Sequence, residues 1–183
     1  MRRLLLVWVL AFWSLGQNTY AQADLPQQMS FNYGRSVIDE ALPEGFAYNP
    51  VTLLANTPLY YFGAFSLYAE AQFTRADNLL TQGTEFEFGL NGGIRYQINL
   101  NKYFEVNAAI GSGPHYISLE TRLQATGFIF SDNFELGFSV YLPEARTSIN
   151  VKSRFRHISN AGLKRPNWGI DNLFLIVGIG TVL

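Results

Sequence analysis

The hydrophobic and polar positions of this chain alternate with a period of two along most of its length. The clearest run spans residues 84–98, where the apolar side chains share one parity: Phe86, Phe88, Leu90, Ile94, Tyr96 and Ile98. The polar side chains of the same run share the other parity: Glu85, Glu87, Asn91, Arg95 and Gln97. Because successive side chains of a β-strand point to opposite faces, this pattern predicts strands with one apolar and one polar face.

Eight segments carry this pattern, and the connections between them differ in length. We predict strands at about residues 27–36, 45–55, 59–73, 84–98, 102–113, 122–142, 146–159 and 168–182. The connections alternate between short (55–59, 99–102, 142–146) and longer (37–44, 74–83, 114–121, 160–167). Short periplasmic turns and longer outer loops are typical of outer-membrane barrels. The chain is therefore expected to be all-β, an eight-stranded antiparallel transmembrane β-barrel of the outer membrane.

The polar face carries glycines as well as charges, which bears on the kind of β-fold. The glycines assigned to it are Gly63, Gly89, Gly93, Gly111 and Gly137. Small residues suit a narrow barrel interior that is filled by a polar network of side chains. A soluble β-sandwich with one wet face would show similar alternation and is the alternative fold.

The N-terminus has the features of a secretory signal peptide. Arg2 and Arg3 precede an apolar run at residues 4–15, and the segment ends in a small-residue cleavage site at Ala21 and Ala23. A membrane-spanning helix needs about 20 apolar residues, and Gln17 and Asn18 interrupt the run too early. We expect a signal peptide at residues 1–23, cut near Ala23, and one barrel domain at residues 24–183.

The amino-acid composition restricts the cellular compartment and the classes of binding partner that this chain can have. Without the signal peptide, the chain has 11 basic and 14 acidic residues, a net charge of −3, which gives no basic surface for nucleic acid. Cysteine is absent, so an exported chain of this kind must be stabilised by something other than disulfides, such as a bilayer. The 10 Tyr and 15 Phe suit aromatic girdles at the membrane surfaces. The expected location is the outer membrane of a Gram-negative bacterium.

The candidate catalytic residues lie in the segment FRHISNAGLKRPNWGID at residues 155–171. Strand parity turns His157 and Ser159 to the lipid-facing side, and Asp171 has the same parity in the last strand. A loop centred on Lys164 would place Asp171 opposite His157. A Ser, a His base and an orienting acid form a nucleophilic triad. The alternative is that His157 and Ser159 are ordinary polar residues at a strand end. His115, in the loop-like GSGPHY, is expected to be a surface or interface residue.

This segment resembles the signature of the lipid A 3-O-deacylases, the PagL-like acyloxyacyl hydrolase family. The matching positions are His157, Ser159, Asn160, Ala161, Gly162, Lys164, Pro166, Asn167 and Gly169. The resemblance implies an eight-stranded barrel with a serine-hydrolase site on its outer wall. It makes Ser159 the nucleophile and His157 the general base. It makes Asn160, Asn167 and the backbone N–H of Gly162 candidates for binding the oxyanion or positioning the loop.

The chain departs from this family at the acid, which is Glu in the family and Asp171 here. Lys164 and Arg165 are candidates for binding lipid A phosphates, with solvated loop charges as the alternative. Arg154 and Arg156 have interior parity and are expected to neutralise Glu85, Glu87, Glu105 or Glu135.

The sequence therefore predicts an outer-membrane serine esterase that removes an ester-linked acyl chain from lipid A. Its partner would be lipid A or lipopolysaccharide in the outer leaflet, with membrane lipids around it and the oligomeric state left open. No metal or cofactor is expected, because a chain with two His and no Cys lacks zinc-type ligand clusters. The alternative function is that of a non-catalytic small barrel, either structural or adhesive.

Overall fold

A computed structural model describes residues 28–40, 48–78 and 82–182 of the chain. The expected signal peptide lies outside the described residues. Eight strands make up almost all of the structure: β1 (Gln28–Glu40), β2 (Tyr48–Phe62), β3 (Phe65–Asn78), β4 (Gly83–Asn99), β5 (Phe104–Ile117), β6 (Gly127–Leu142), β7 (Thr147–Ser159) and β8 (Ile170–Val182). A single turn of 3₁₀ helix, Pro143–Ala145, joins β6 to β7. Among these residues, no helix is long and apolar enough to cross a membrane.

The strands form one closed antiparallel barrel in chain order, and β8 pairs with β1 to complete it. Closure gives every strand two hydrogen-bonded neighbours, which is the condition for a β-structure to lie in lipid. The predicted fold class is confirmed. One end of the barrel carries the short connections 63–64, 100–103 and 143–146, and we call it the turn end. The opposite end carries the segments 118–126 and 160–169, and we call it the loop end.

The two faces of the wall differ as the alternation predicts. Outward side chains are mostly apolar and exposed, with aromatic pairs that stack across neighbouring strands, such as Phe88 with Tyr116 and Phe104 with Phe138. Inward side chains are mostly polar and buried. Gly93 and Gly111 are needed on the inner face because a Cβ at either position would collide with the Tyr68 side chain.

Buried ion pairs fill the interior. The Arg154 guanidinium donates to both carboxylate oxygens of Glu70 at 2.8 and 2.7 Å and, through Nε, to Glu135 at 2.6 Å. Arg156 donates to Glu87 at 2.7 Å and to the Asn172 side chain at 2.6 Å. The prediction that the two arginines neutralise interior acids is confirmed for Glu87 and Glu135. Glu70 is a further partner, beyond the four acids that were expected.

At the loop end the interior changes from polar to apolar. Six buried side chains form a cluster there: Ala76, Ile117, Leu119, Ile129, Ile158 and Ile170. These residues come from β3, β5, β6, β7 and β8 and from the segment after β5. The cluster closes the interior beneath the ends of β7 and β8.

The first short turn does not lie where the sequence places it. Residues 55–59 are part of β2, and the chain turns instead at Gly63 and Ala64. The turn prediction was wrong because Pro58 is tolerated inside β2, where the β2–β3 register shifts between Pro58 and Tyr60. Gly63, with φ of 62°, is therefore a turn residue and not an interior one.

His115 also differs from its prediction. It lies inside β5, it is 3% exposed, and its ring nitrogens lie 2.8 Å from Glu87 Oε1 and 3.0 Å from Asn91 Oδ1. Gly89 is its partner across β4 and β5, and a Cβ at Gly89 would collide with the imidazole. The surface prediction was wrong because Gly89 leaves the space into which His115 fits. The segment at 114–117 is strand, and the connection runs from 118 to 126.

Candidate functional site

The β7–β8 register places His157 directly opposite Asp171. Nδ1 of His157 and Oδ1 of Asp171 form a hydrogen bond of 2.6 Å. About a third of each side chain is exposed on the outer wall, 37% for His157 and 35% for Asp171. The shorter acid thus reaches the imidazole, and with an ionised Asp171 the proton lies on Nδ1. Nε2 is then left as the basic nitrogen.

Two isoleucines fix the outward direction of this pair. Ile158 follows His157 in β7, Ile170 precedes Asp171 in β8, and the two are partners across the strands. Both are 0% exposed within the apolar cluster at the loop end. Because side chains alternate along a strand, burying these two isoleucines turns their neighbours His157, Ser159 and Asp171 to the outer face.

Ser159 is the last residue of β7 and lies opposite Phe130 of β6. It is two residues from His157 on the same face, about 6.6 Å along the strand. Within the described residues, neither its hydroxyl nor Nε2 of His157 makes a hydrogen bond. The hydrogen bond between a nucleophilic serine and its histidine is often long without substrate and tightens when substrate binds. The unbonded hydroxyl of Ser159 is therefore compatible with a role as nucleophile.

Asn160 organises the backbone of the loop that follows Ser159. Its amide nitrogen donates to the carbonyl oxygen of Lys164 at 2.7 Å. Its side-chain oxygen accepts from the N–H of Gly162 at 3.1 Å and from the N–H of Lys164 at 3.5 Å. Asn160 is 2% exposed. Both ends of its amide are therefore engaged in the loop, and so is the N–H of Gly162.

Asn167 has a different pattern of contacts. Its side-chain oxygen accepts from the backbone N–H of Asn160 at 2.7 Å. Its amide nitrogen makes no hydrogen bond within the described residues. Asn160 also keeps one amide N–H, but its side chain is only 2% exposed. Of the three candidates for binding an oxyanion, Asn167 is the one whose amide nitrogen has both N–H groups unused within the described residues.

Gly169 contacts the imidazole, a role that strand parity alone does not reveal. Its φ is 80°, a left-handed conformation that favours glycine. A Cβ at this position would collide with Cε1 of His157. The signal in the sequence is the glycine two residues before Asp171, which matches the family signature.

Segment 118–126 holds the loop at residues 160–169 in place. The N–H of Trp168 donates to the carbonyl of Leu123 at 2.8 Å, and the N–H of Ala125 donates to the carbonyl of Pro166 at 3.0 Å. An isolated β-bridge joins Gln124 to Asn167. The sequence prediction missed this segment because its residues carry no recognisable chemistry and act through their backbone.

The rim of the loop is exposed and mixed in character. Leu163 is 72% exposed and Trp168 is 77% exposed, and Lys164 and Arg165 are exposed beside them. A depression of about 610 Å³ lies between Gly162 and Trp168 and is also lined by Arg165, Pro166 and Asn167. Apolar and cationic groups that flank one depression suit an anionic amphiphile.

The C-terminal part of the chain matches a known family. Residues 100–180 match the family model described as lipid A 3-O-deacylase (PagL), which confirms the resemblance carried by residues 157–171. No curated protein sequence matches the chain.

Similar folds occur among solved structures. The crystal structure of the outer membrane enzyme PagL matches with a TM-score of 0.58 and 18% identity, over 85% of this chain and 99% of that one. Neisserial surface protein A (NspA) matches with a TM-score of 0.56 and 11% identity, over 86% and 97% of the two chains. The outer membrane protein OprG from Pseudomonas aeruginosa matches with a TM-score of 0.54 and 12% identity, over 85% and 94%. The fold and the outer-membrane location predicted from the sequence are confirmed.

Proposed function

We propose that this chain, which matches the lipid A 3-O-deacylase family over residues 100–180, removes an ester-linked acyl chain from lipid A by serine-hydrolase chemistry. The observation that carries the proposal is the 2.6 Å hydrogen bond between His157 and Asp171 on the outer wall, with Ser159 two residues away on the same face. An ionisable pair on a lipid-facing surface costs free energy, and its presence there supports a functional role. The loop end would face the cell exterior, where lipid A resides.

The first half of the reaction forms an acyl-enzyme. Oγ of Ser159 attacks the ester carbonyl while Nε2 of His157 takes its proton. Asp171 accepts a hydrogen bond from Nδ1–H of His157 and stabilises the imidazolium that results. The amide nitrogen of Asn167 donates to the negatively charged oxygen of the tetrahedral intermediate. The bond between the acyl carbon and the ester oxygen of the sugar then breaks, and His157 gives the proton to that oxygen, which leaves as the sugar hydroxyl.

The second half releases the fatty acid. Water attacks the acyl-enzyme and gives a proton to Nε2 of His157, and a second tetrahedral intermediate forms at the same carbon. Its collapse breaks the bond to Ser159, which takes the proton back as a hydroxyl. The products are a carboxylic acid and a lipid A with one free hydroxyl, and the chain's own residues carry every proton in the cycle.

The loop gives the headgroup a place to bind. Lys164 and Arg165 would pair with the phosphates of lipid A through charge-assisted hydrogen bonds. Leu163 and Trp168, both highly exposed, would insert between acyl chains beside the site. Lipid A would thus be bound by its charged head at the rim and by its chains along the wall.

Mass spectrometry of lipid A from Gram-negative cells that produce the protein tests this function. The unmodified chain should yield lipid A lighter by one acyl group, and Ser159→Ala should yield intact lipid A. Ser153→Ala is the matched control, because Ser153 lies on the same face of β7 but six residues away. Deacylation by the Ser159→Ala variant would refute the serine mechanism. Intact lipid A with the unmodified chain would favour the non-catalytic barrel.

A further inference from the structure

A hydrogen-bonded pair lies inside the barrel directly behind His157 and Asp171. Arg156 precedes His157 in β7, Asn172 follows Asp171 in β8, and the two are partners across the strands. Nη2 of Arg156 donates to Oδ1 of Asn172 at 2.6 Å. This inner pair is therefore one residue farther from the loop end than the proposed catalytic pair, on the opposite face of the same two strands. Neither of its residues takes part in the proposed reaction.

The guanidinium of Arg156 is held from three directions. Besides Asn172, it donates through Nη1 to Oε2 of Glu87 at 2.7 Å, and its Cζ lies 4.9 Å from the centre of the Phe174 ring. All four side chains are at most 1% exposed. A planar guanidinium can satisfy two acceptors in fixed directions, which an ammonium group cannot do. Arg156 thus connects two positions on the inner face of β8 with β4.

Glu87, at the far end of this connection, is itself fixed by two further strands. Nδ1 of His115 in β5 lies 2.8 Å from its Oε1. Nε2 of Gln72 in β3 donates to the same oxygen at 3.2 Å. The inner face of β8 is therefore held beside Asp171 by contacts that reach across the interior, in addition to the backbone hydrogen bonds between β7 and β8.

The position of Asp171 in the sheet makes this support necessary. The paired residues of β7 and β8 end one step beyond the His157–Asp171 pair, at Ile158 and Ile170. The ends of a sheet open more readily than its centre. An aspartate is also about 1.5 Å shorter than a glutamate, by one C–C bond. The 2.6 Å hydrogen bond between Asp171 and His157 therefore tolerates little separation of the two strands.

We infer that Arg156 and Asn172 are positioning residues, which hold β8 against β7 from inside the barrel and keep Asp171 within hydrogen-bond reach of His157. This inference deepens the proposed function and rests on it. Both side chains are buried on the inner face, away from a lipid substrate on the outer wall. Their loss should therefore lower the rate of the chemical step and leave the binding of lipid A unchanged.

Kinetics of purified variants on lipid A in detergent micelles test the inference. Asn172→Leu keeps the approximate shape of the side chain and removes the acceptor for Arg156. We expect kcat to fall about 10- to 100-fold, because a displacement of about 1 Å at a catalytic group can cost about 10²-fold in rate. KM should stay within about twofold. Arg156→Lys keeps the charge opposite Glu87 but not the fork, and kcat should fall similarly.

Asn150→Leu is the matched control. Asn150 lies on the inner face of the same strand β7, six residues from Arg156, and it is also buried. Its kcat should stay within about twofold of that of the unmodified chain. Gel mobility with and without heating confirms that each variant forms the barrel. Full kcat in Asn172→Leu, or an equal fall in Asn150→Leu, would overturn the inference.

A longer acid separates positioning from general damage to the barrel. Asp171→Glu adds about 1.5 Å of reach, so it tolerates a strand β8 that lies farther from β7. The double variant Asp171→Glu with Asn172→Leu should therefore have a kcat within about threefold of Asp171→Glu alone. A double variant as slow as Asn172→Leu would refute the inference.

The hydrogen bond itself provides a measurement that does not depend on catalysis. In protein labelled with ¹⁵N at histidine, the Nδ1–H proton of His157 should give a downfield NMR signal, which His157→Ala identifies. Asn172→Leu should move this signal upfield, and Asn150→Leu should leave it in place. An unmoved signal in Asn172→Leu, with lipid A deacylated by the unmodified chain, would refute the inference and leave the proposed function standing. If the unmodified chain left lipid A intact, the proposed function would be wrong and the inference with it.

Discussion

Ile158 of β7 and Ile170 of β8 face each other inside the barrel, and both are fully buried. Each is a direct neighbour of a proposed catalytic residue. Ile170→Ala should lower the free energy of unfolding by about 2–5 kcal/mol, because a cavity forms beneath the site. Deacylation should fall as well, since Asp171 loses the packing that orients it. Urea unfolding followed by gel mobility measures the first effect. Ile179→Ala, on the outward face of the same strand, is the control for activity: it opens no cavity beneath the site and should leave deacylation unchanged.

Asp171→Asn tests the orienting acid. The amide keeps the shape of the side chain but cannot stabilise the imidazolium, so kcat should fall by a factor on the order of 10³–10⁴ while the barrel assembles normally. Asp171→Glu restores the acid of the related family and should keep most of the activity. Fatty-acid release from purified lipid A gives the rates. Full activity of the Asn variant would show that Asp171 does not orient His157.

Much of this architecture follows from the sequence because a barrel wall separates lipid from a polar interior. Alternating residues 84–98 face two different environments, so strand parity predicted which side chains point outward. The same parity, with a loop centred on Lys164, predicted that His157 opposes Asp171, and this is confirmed.

What the sequence did not reveal depends on contacts between distant segments. His115 follows a Gly–Ser–Gly–Pro run that suggests a loop, but the space left by Gly89 draws it into the interior. Pro58 suggests a turn, but a register shift keeps it within β2. The residue of β6 that faces His157 is Asp132, and this pairing follows from the β6–β7 register across the turn at Pro143–Ala145.

Asn167→Asp separates the two contacts of Asn167. The carboxylate keeps an oxygen to accept the N–H of Asn160, so the loop should hold its conformation. It removes the donor and places a negative charge near the oxyanion. We expect kcat to fall by at least 10²–10³, the cost typical of one lost oxyanion donor. Asn167→Ala should lose activity and also loosen the loop, as limited proteolysis would show. An active Asp variant would rule out Asn167 as the donor.

Arg154→Met tests the interior ion-pair network. It would leave Glu70 and Glu135 buried with Lys152 as the nearest cation, 3.5 Å from Glu135. The free energy of unfolding should fall by about 3–5 kcal/mol, as for other broken buried pairs. Arg75→Met is the matched control, because its pair with Asp77 is exposed and contributes about 0–1 kcal/mol. Equal urea midpoints for the two variants would contradict a stabilising role for the network.

The contacts between segments 118–126 and 160–169 set the size of the unit that could be moved between proteins. The hairpin of β7 and β8 contains His157, Ser159 and Asp171, so grafting it into another small barrel would transfer all three side chains. The carbonyl of Leu123 and the N–H of Ala125, however, hold Trp168 and Pro166 from outside that hairpin. A graft of the hairpin alone would carry the reacting groups and leave their backbone supports behind. A portable unit must therefore also include segment 118–126, which lies within the residues 100–180 that the family match covers.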